Sequence, residues 1–277
     1  MSALRASSII ATLLLAGTWV MAPDEAWSAT ATKCAPVGVC YCLSSDFEPV
    51  VKDKIDKYRA TIAEQKGKGK AIGYISTPLS AAGGGHFQVN REVADAVRAQ
   101  LEERFGAGSV WLLDPTSRDA DLPQVSGVRA GQQEYMYLWS QILGGETGTG
   151  QDFDFIYFVG PSDVGRFFKF DGKNDLAKVD SYFDAREAND PSFKQDVAAG
   201  KVTKFAFRNY YGLRASSAFS NGAHDEWNII RLVNERRRAD TRMGIANQLP
   251  IFFDGRAATP GDYEQIVAFG TATFCKN

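Results

Sequence analysis

Short runs of hydrophobic residues alternate along this chain with longer stretches in which hydrophobic residues recur every three or four positions. The short runs are continuous and apolar, which predicts buried strands over residues 70–76, 109–113, 153–159 and 249–253. The longer stretches have the spacing of amphipathic helices. They predict helices over residues 47–65, 89–105, 175–186, 226–238 and 262–269, and one more helix with a stripe of Tyr135, Leu138, Trp139, Ile142 and Leu143.

The order of these elements predicts the fold. A strand that is followed by a helix and a second strand forms a right-handed crossover in a parallel sheet. We therefore expect an α/β fold, a flavodoxin-like doubly wound parallel sheet in three layers, α/β/α. Residues 165–219 interrupt the alternation, and they form a predicted insertion before the fourth core helix, with a possible strand over 201–207. The insertion is too rich in aromatic residues to be disordered.

Composition narrows the class of protein. The chain has 277 residues, 44% of them hydrophobic, and a formal net charge of −2. This length supports one large domain or at most two. We predict an N-terminal cysteine-containing segment and helix over 30–69 and a single α/β domain over 70–277. Because there is no basic excess, neither nucleic acid nor an anionic membrane surface is expected as a partner.

The first 29 residues have the pattern of a targeting segment. Arg5 provides a positive charge, and residues 9–20 form an apolar core too short for a comfortable membrane span. Residues 26–29 end in the small-x-small pattern of a cleavage site. We therefore predict a signal peptide over residues 1–29 and export to the periplasm or the exterior, with no membrane attachment after cleavage.

The predicted mature chain contains four cysteines: Cys34, Cys40, Cys42 and Cys275. An even number in an exported protein predicts two disulfides, and three connectivities are possible. If all four cysteines pair, one bond ties Cys275 to the N-terminal cluster. The close spacing of the second and third cysteines could also serve a redox or metal site. The chain has only two histidines, His86 and His224, and neither is close in sequence, so structural disulfides are the preferred interpretation.

Ligands of open α/β sheets bind at the carboxyl ends of the strands. The predicted strands place four loops there, over 76–85, 114–117, 160–168 and 220–228. The sequence has no phosphate loop, no dinucleotide fingerprint and no nucleophile elbow of the serine hydrolases. With two histidines a metal site is also disfavoured, so no metal and no cofactor are expected. Carboxylates remain as the candidate chemistry, because they catalyse displacement at a sugar anomeric carbon.

Residues 220–228 place a small turn, two acids, a histidine and an amide at a predicted helix start. One interpretation is structural: Ser220 or Asn221 caps the helix, while Asp225 and Glu226 complement its dipole. The other is functional, since a helix N-terminus can hold an anion or tune a carboxylate. The expected convergence of four loops on one cleft favours the functional interpretation.

Four short elements, in this order, resemble the nucleoside 2-deoxyribosyltransferase-like family across residues 70–255. They are Tyr-Ile-Ser-Thr-Pro at 74–78, Val-Trp-Leu-Leu-Asp-Pro at 110–115, Asp154 before an apolar strand, and Ser-Asn-Gly-Ala-His-Asp-Glu at 220–226. In that family a glutamate at a helix start attacks the sugar C1′ and expels the base. The chain departs from the family pattern in the bulky Trp-Asn-Ile-Ile at 227–230, in the insertion and in its export signal.

The resemblance implies an exported N-glycoside-cleaving enzyme that acts on a nucleoside or nucleotide by transfer or hydrolysis. It implies Glu226 as the nucleophile or oxocarbenium partner, and Asp154 as the group that orients the sugar or protonates the base. Tyr210, Tyr211 or Trp227 would stack on the base. The other expected substrate-binding residues are Ser76, Pro78, Asp114, Ser220, Gly222 and Asn228. The alternative is a non-catalytic exported module on the same scaffold that binds a small molecule or nucleotide or serves an interaction, because a fold does not determine a function.

Overall fold

The structure is a computed structural model that describes residues 29–79, 83–239, 247–264 and 268–275. Its strands are β1 Thr30–Cys34, β2 Cys40–Ser44, β3 Ala71–Ser76, β4 Val110–Leu113, β5 Phe155–Phe158, β6 Ile251–Phe253 and β7 Arg256–Ala257. Its helices are α1 Glu48–Gly67, α2 Phe87–Phe105, α3 Gln132–Gly144, α4 Pro161–Phe167, α5 Asp175–Asn189, α6 Pro191–Ala198, α7 Lys204–Leu213, α8 Asn221–Ala239 and α9 Pro260–Glu264. The four predicted strands are all present.

A mixed, mostly parallel sheet of five strands forms the centre of the molecule. Its strand order is β4-β3-β5-β6-β7. The first four strands in this order are parallel, and β7 pairs with β6 in the antiparallel direction. The predicted parallel sheet is therefore confirmed for its four core strands, and β7 is an addition that the sequence pattern did not indicate.

Helices cover both faces of this sheet, because successive side chains of a strand point to opposite faces. Ile72 and Tyr74 of β3 belong to a core cluster with buried residues of α1, α3 and α8. Ile75 belongs to a second cluster, with buried residues of α2, α4, α5, α6 and α7. The expected arrangement, an α/β sheet between two helical layers, is thus observed.

The insertion over 165–219 is helical among its described elements. The predicted helix at 175–186 is confirmed as α5, but the possible strand over 201–207 is wrong. Thr203 caps α7 there, since its side chain accepts a hydrogen bond from the amide of Ala206. Phe207, Tyr210 and Tyr211 are buried at helical spacing, so their side chains fill the second core cluster from one face of α7.

Two further predictions concern the ends of the chain. The last helix was expected over 262–269, but α9 begins at Pro260, and residues 268–269 are not helical; residues 265–267 lie outside the described part. The predicted signal peptide also lies outside the described part, which starts at residue 29. Across the described ranges, no helix has both the length and the hydropathy needed to cross a membrane.

An antiparallel hairpin of β1 and β2 packs on the first core cluster through Tyr41. The predicted two disulfides are present: Cys34–Cys40 closes the hairpin, and Cys42–Cys275 ties the C-terminal segment to β2. The expected bond from Cys275 to the N-terminal cluster is therefore confirmed. Disulfides of this kind indicate an oxidising compartment outside the cytoplasm.

Candidate functional site

The carboxyl end of β3 presents two hydroxyl groups to the helical layer that contains α8. Tyr74 and Ser76 are two positions apart in the strand, so their side chains point to the same face. The Tyr74 hydroxyl donates to Oε1 of Glu226 at 2.5 Å, and the Ser76 hydroxyl donates to Oε2 of Glu226 at 2.5 Å. Each oxygen of one carboxylate is thus held by a separate donor from the same strand.

Helix α8 begins at Asn221, five residues earlier than predicted. The Ser220 side chain accepts a hydrogen bond from the amide of Ala223 at 3.4 Å, as an N-terminal cap does. The structural interpretation of Ser220 therefore holds. Glu226 lies in the second turn, where backbone amides already bond within the helix. The expectation of a glutamate at the helix start is wrong, and side chains of β3, not helix amides, hold this carboxylate.

Glu226 is 6% exposed. Burial raises the pKa of its carboxyl to about 7, against the lowering effect of the hydrogen bonds from Ser76 and Tyr74, and the negative charge of Asp225 adds to the rise. Burial, the charge of Glu226 and the hydrogen bond to it raise the pKa of Tyr74 well above its usual value, so Tyr74 remains a donor. Glu226 can therefore exist as carboxylate or acid near neutral pH.

Asp225 is fully buried, but it faces a different partner. Its carboxylate accepts from the amides of Gly270 at 2.5 Å and Thr271 at 2.9 Å. Burial raises the pKa of Asp225 to about 6, although these two amides lower it. Asp225 thus anchors the C-terminal segment on α8, and this role accounts for the second acid of the 220–228 stretch.

A cavity of about 360 Å³ lies beside Glu226. Its apolar walls are Leu79, Phe87, Pro115, Tyr135, Met136 and Trp139. Its polar walls are Thr77, Asp121, Gln132, Ser220 and Glu226, and Gly222 and Ala223 complete the lining. Three aromatic rings and a carboxylate in one concave site are suited to a small ligand with a planar group.

The predicted site residues at the ends of β3 and β4 and at the start of α8 come together around this cavity. Ser220 and Gly222 line it, and Ser76 bonds to Glu226. Pro78 is buried between two lining residues. Asp114 is buried just before the lining residue Pro115, and its Oδ1 accepts from the amide of Thr116 at 2.8 Å, so we assign it a role in shaping the loop.

Asp154 lies at the wrong edge of the sheet for the role that was predicted. Its Oδ2 accepts from the amide of Ile72 at 2.7 Å, at the amino end of β3. Ser76 is four residues further along this strand, which corresponds to roughly 13 Å. Because Asp154 precedes its strand and does not follow it, it cannot share a ligand with Glu226. The expectation that it orients the sugar or protonates the base is wrong.

Three other predicted residues also lie away from Glu226. Trp227 packs on Phe158, with 4.9 Å between ring centroids, and lines a separate cavity of about 540 Å³. Tyr211 is buried in the insertion and donates to Asn90. Asn228 is fully buried two positions beyond Glu226 and so faces another side of α8. The prediction that Trp227 and Tyr211 stack on a base at Glu226 is therefore wrong, and so is the prediction that Asn228 binds the substrate there.

The sequence patterns missed Tyr74 and most of the cavity wall. Tyr74 is the first residue of the Tyr-Ile-Ser-Thr-Pro element. It lies two positions before Ser76 in a predicted strand, and this spacing indicates that both side chains point to the same face. Tyr135 and Trp139 were recognised as an apolar helical stripe, which is normally a core feature. Nothing in such a stripe distinguishes a residue that fills the core from one that walls a cavity.

Within the described ranges, no group of three or more His, Cys, Asp or Glu side chains is arranged to hold a metal ion. The chain was also compared with protein-family models, with curated proteins and with solved structures. No family model matches the chain, and neither of the other two comparisons found a match.

Proposed function

We propose that this protein is an exported N-glycoside-cleaving enzyme of the nucleoside deoxyribosyltransferase-like type, with Glu226 as its nucleophile. The observation that carries the proposal is the pairing of Glu226 with Tyr74 and Ser76 at the edge of an aromatic-walled cavity. A carboxylate fixed by two donors has its orientation set before a substrate arrives, which is what nucleophilic displacement requires.

The chemistry follows from the position of the carboxylate. A carboxylate oxygen has about two acceptor sites, so each oxygen of Glu226 retains one after bonding to Tyr74 or Ser76. That oxygen attacks C1′ of a sugar in the cavity, and the bond from C1′ to the base nitrogen breaks. Water or an acceptor base then attacks C1′ and releases the sugar from Glu226.

The sheet supports this assignment of the site. The order of the parallel strands, β4-β3-β5-β6, matches the start of the flavodoxin-like order, and we propose that fold class. From β3 the chain continues to β4 on one side of the β3–β5 pair, and from β5 it continues to β6 on the opposite side of that pair. Ligands of such sheets bind at the carboxyl ends beside this change of direction, and Ser76 ends β3 there.

The proposal is tested with purified, disulfide-intact protein and a panel of nucleosides, nucleotides and NAD, by following base release chromatographically. Glu226→Gln keeps the shape of the side chain but removes the nucleophile, so we expect a loss of about 10³-fold or more. Glu235→Gln is the matched control, because it makes the same change near the end of the same helix, where Glu235 pairs with Arg231.

A second pair of variants tests the cavity independently. A Cβ at Gly222 would lie 3.6 Å from the sulfur of Met136, an ordinary contact, so Gly222→Ala should be tolerated. Gly222→Leu fills the cavity and should abolish base release with Glu226 unchanged. If wild type and Glu226→Gln behave alike on the whole panel, the enzymatic assignment is wrong. A ligand that stabilises the protein and is recovered unchanged would then support a binding module.

A further inference from the structure

The charge of the cavity wall limits what can bind beside Glu226. Two carboxylates, Glu226 and Asp121, line the cavity, and its described lining includes no lysine, arginine or histidine. Residues 80–82, which lie outside the described part, are Ser-Ala-Ala and add no charge. A cavity that has only anionic charges on its wall favours a cationic ligand over a neutral or anionic one of the same shape.

Arg91 is a positively charged residue close to this cavity, and its charge could offset the negative charge of the cavity wall. Its guanidinium is 3.9 Å from the Asp121 carboxylate and 5.3 Å from the centroid of the Phe87 ring. Its Nη2 atom is buried and the residue is not part of the cavity lining. Arg91 therefore offsets the charge of Asp121, whereas no cation among the described residues pairs with Glu226.

The aromatic walls of the cavity also favour a cationic ligand. Phe87, Tyr135 and Trp139 line the cavity on the side formed by α2 and α3. The face of an aromatic ring attracts a cation, and the attraction is larger in a site with little water. Because Arg91 already lies over the Phe87 ring, Tyr135 and Trp139 are the aromatic lining residues left to a flat, positively charged ring beside Glu226.

The described cavity wall also limits which base can leave when the glycosidic bond breaks. A neutral base needs a proton when its bond to C1′ breaks, and the donor has to be a carboxyl kept protonated by burial, or an equivalent group. Asp154 is at the opposite edge of the sheet. Asp121 has a side chain that is 58% exposed and lies 3.9 Å from Arg91. The described cavity wall therefore holds no buried carboxyl other than Glu226 itself, and its one phenol, Tyr135, has its oxygen at the amide of Leu122.

Resting on the proposed function, we infer that the substrate is an N-glycoside whose base carries a positive charge, such as a pyridinium riboside. An Oε atom of Glu226 forms a bond to C1′, the C1′–N bond breaks, and its electron pair neutralises the ring nitrogen. The base leaves without proton transfer. Water then attacks C1′, regenerates the carboxylate and releases one proton, so each turnover yields sugar, neutral base and H⁺.

Binding and turnover test this inference separately. The first measurement compares 1-methylnicotinamide, a cation that cannot be hydrolysed, with neutral nicotinamide by calorimetry at pH 8. We expect the cation to bind at least about tenfold more tightly, since a factor of ten corresponds to 1.4 kcal/mol. Glu226→Gln should remove this preference, and Glu235→Gln should retain it.

The second measurement compares nicotinamide riboside with inosine, with each rate divided by its uncatalysed rate. We expect the larger acceleration for nicotinamide riboside, with one proton released per base. An equal or larger acceleration for inosine, or equal binding of the two nicotinamides, overturns the inference and leaves the proposed function standing. If no glycoside loses its base, the proposed function fails and the inference fails with it.

Discussion

Glu226 bonds to two hydroxyl groups and has no cationic partner among the described residues, and this determines how the site responds to pH. A neighbouring arginine or lysine would keep the carboxyl ionised well below neutral pH. The hydroxyl groups of Tyr74 and Ser76 only partly offset burial, and the pKa of Glu226 stays near 7. Activity that depends on the carboxylate should therefore rise with pH through this region.

Tyr74→Phe tests this dependence at a single atom. The substitution removes the donor to Oε1 of Glu226, so the pKa of Glu226 should rise further. We expect the rising limb of the kcat/KM profile to move to higher pH. For a pKa that starts at about 7, a shift of one unit lowers the activity at pH 7 by about fivefold, and the activity recovers at higher pH. A purely structural role for Tyr74 would lower the whole profile without moving it.

The control for that experiment is Tyr41→Phe. It removes a buried hydroxyl from the same core cluster, and this hydroxyl has no hydrogen-bond partner among the described residues. Its pH profile should match the wild type. A Tyr74→Phe profile with its limb at the wild-type position would contradict the assigned role of the Tyr74 hydroxyl.

At the scale of the element, α8 carries two buried carboxyls in consecutive positions that face different partners. Positions one apart on a helix are separated by about 100°. Asp225 holds the C-terminal segment, whereas Glu226 faces β3 and the cavity. Folding raises the pKa of both groups, to about 6 and about 7. Both acids are easier to bury when protonated, so this helix links stability to pH.

For Glu226 we can predict whether the free energy of unfolding rises or falls with pH. Between its ordinary pKa of 4.5 and its folded value of about 7, the folded state binds more protons than the unfolded state. The free energy of unfolding should therefore fall as pH rises through that window, by about 3 kcal/mol at most from this group. Denaturant unfolding at pH 5 and pH 8 measures it. Glu226→Gln should show a smaller decline, and an unchanged decline would contradict the prediction.

Most elements could be predicted from the sequence because their apolar residues recur at the spacing of a strand or a helix. Where polar and aromatic residues dominate, the pattern was less informative. The pattern of residues 201–207 predicts a strand, whereas the cap at Thr203 and the buried stripe that begins at Phe207 produce a helix. The start of α8 was misplaced because its first turn contains no apolar stripe. The partners of Glu226, Tyr74 and Ser76, are 152 and 150 residues away in sequence, and no local pattern contains such contacts.

At the scale of the whole molecule, the two disulfides close loops of very different length. Cys34–Cys40 spans 6 residues, whereas Cys42–Cys275 spans 233. A cross-link stabilises a protein in proportion to the chain entropy that it removes from the unfolded state, and this grows with the logarithm of the loop length. The long loop should therefore contribute more.

This difference can be measured with paired serine variants. The chain-entropy relation gives about 5 kcal/mol for the long loop and about 2 kcal/mol for the short one. We expect Cys42→Ser/Cys275→Ser to lower the free energy of unfolding more than Cys34→Ser/Cys40→Ser, as determined by denaturant titration. Equal losses would show that local packing of the hairpin outweighs loop length.

The Cys42–Cys275 bond also decides how the molecule carries a mechanical load. A force that pulls on the two ends of the chain passes through this bond and not through the sheet. The 233 residues of separation correspond to about 800 Å of extended chain, none of which can be drawn out while the bond is oxidised. Strand β3, which contains Tyr74 and Ser76, therefore bears no tension from the chain ends, and reduction of the bond would expose it to that tension.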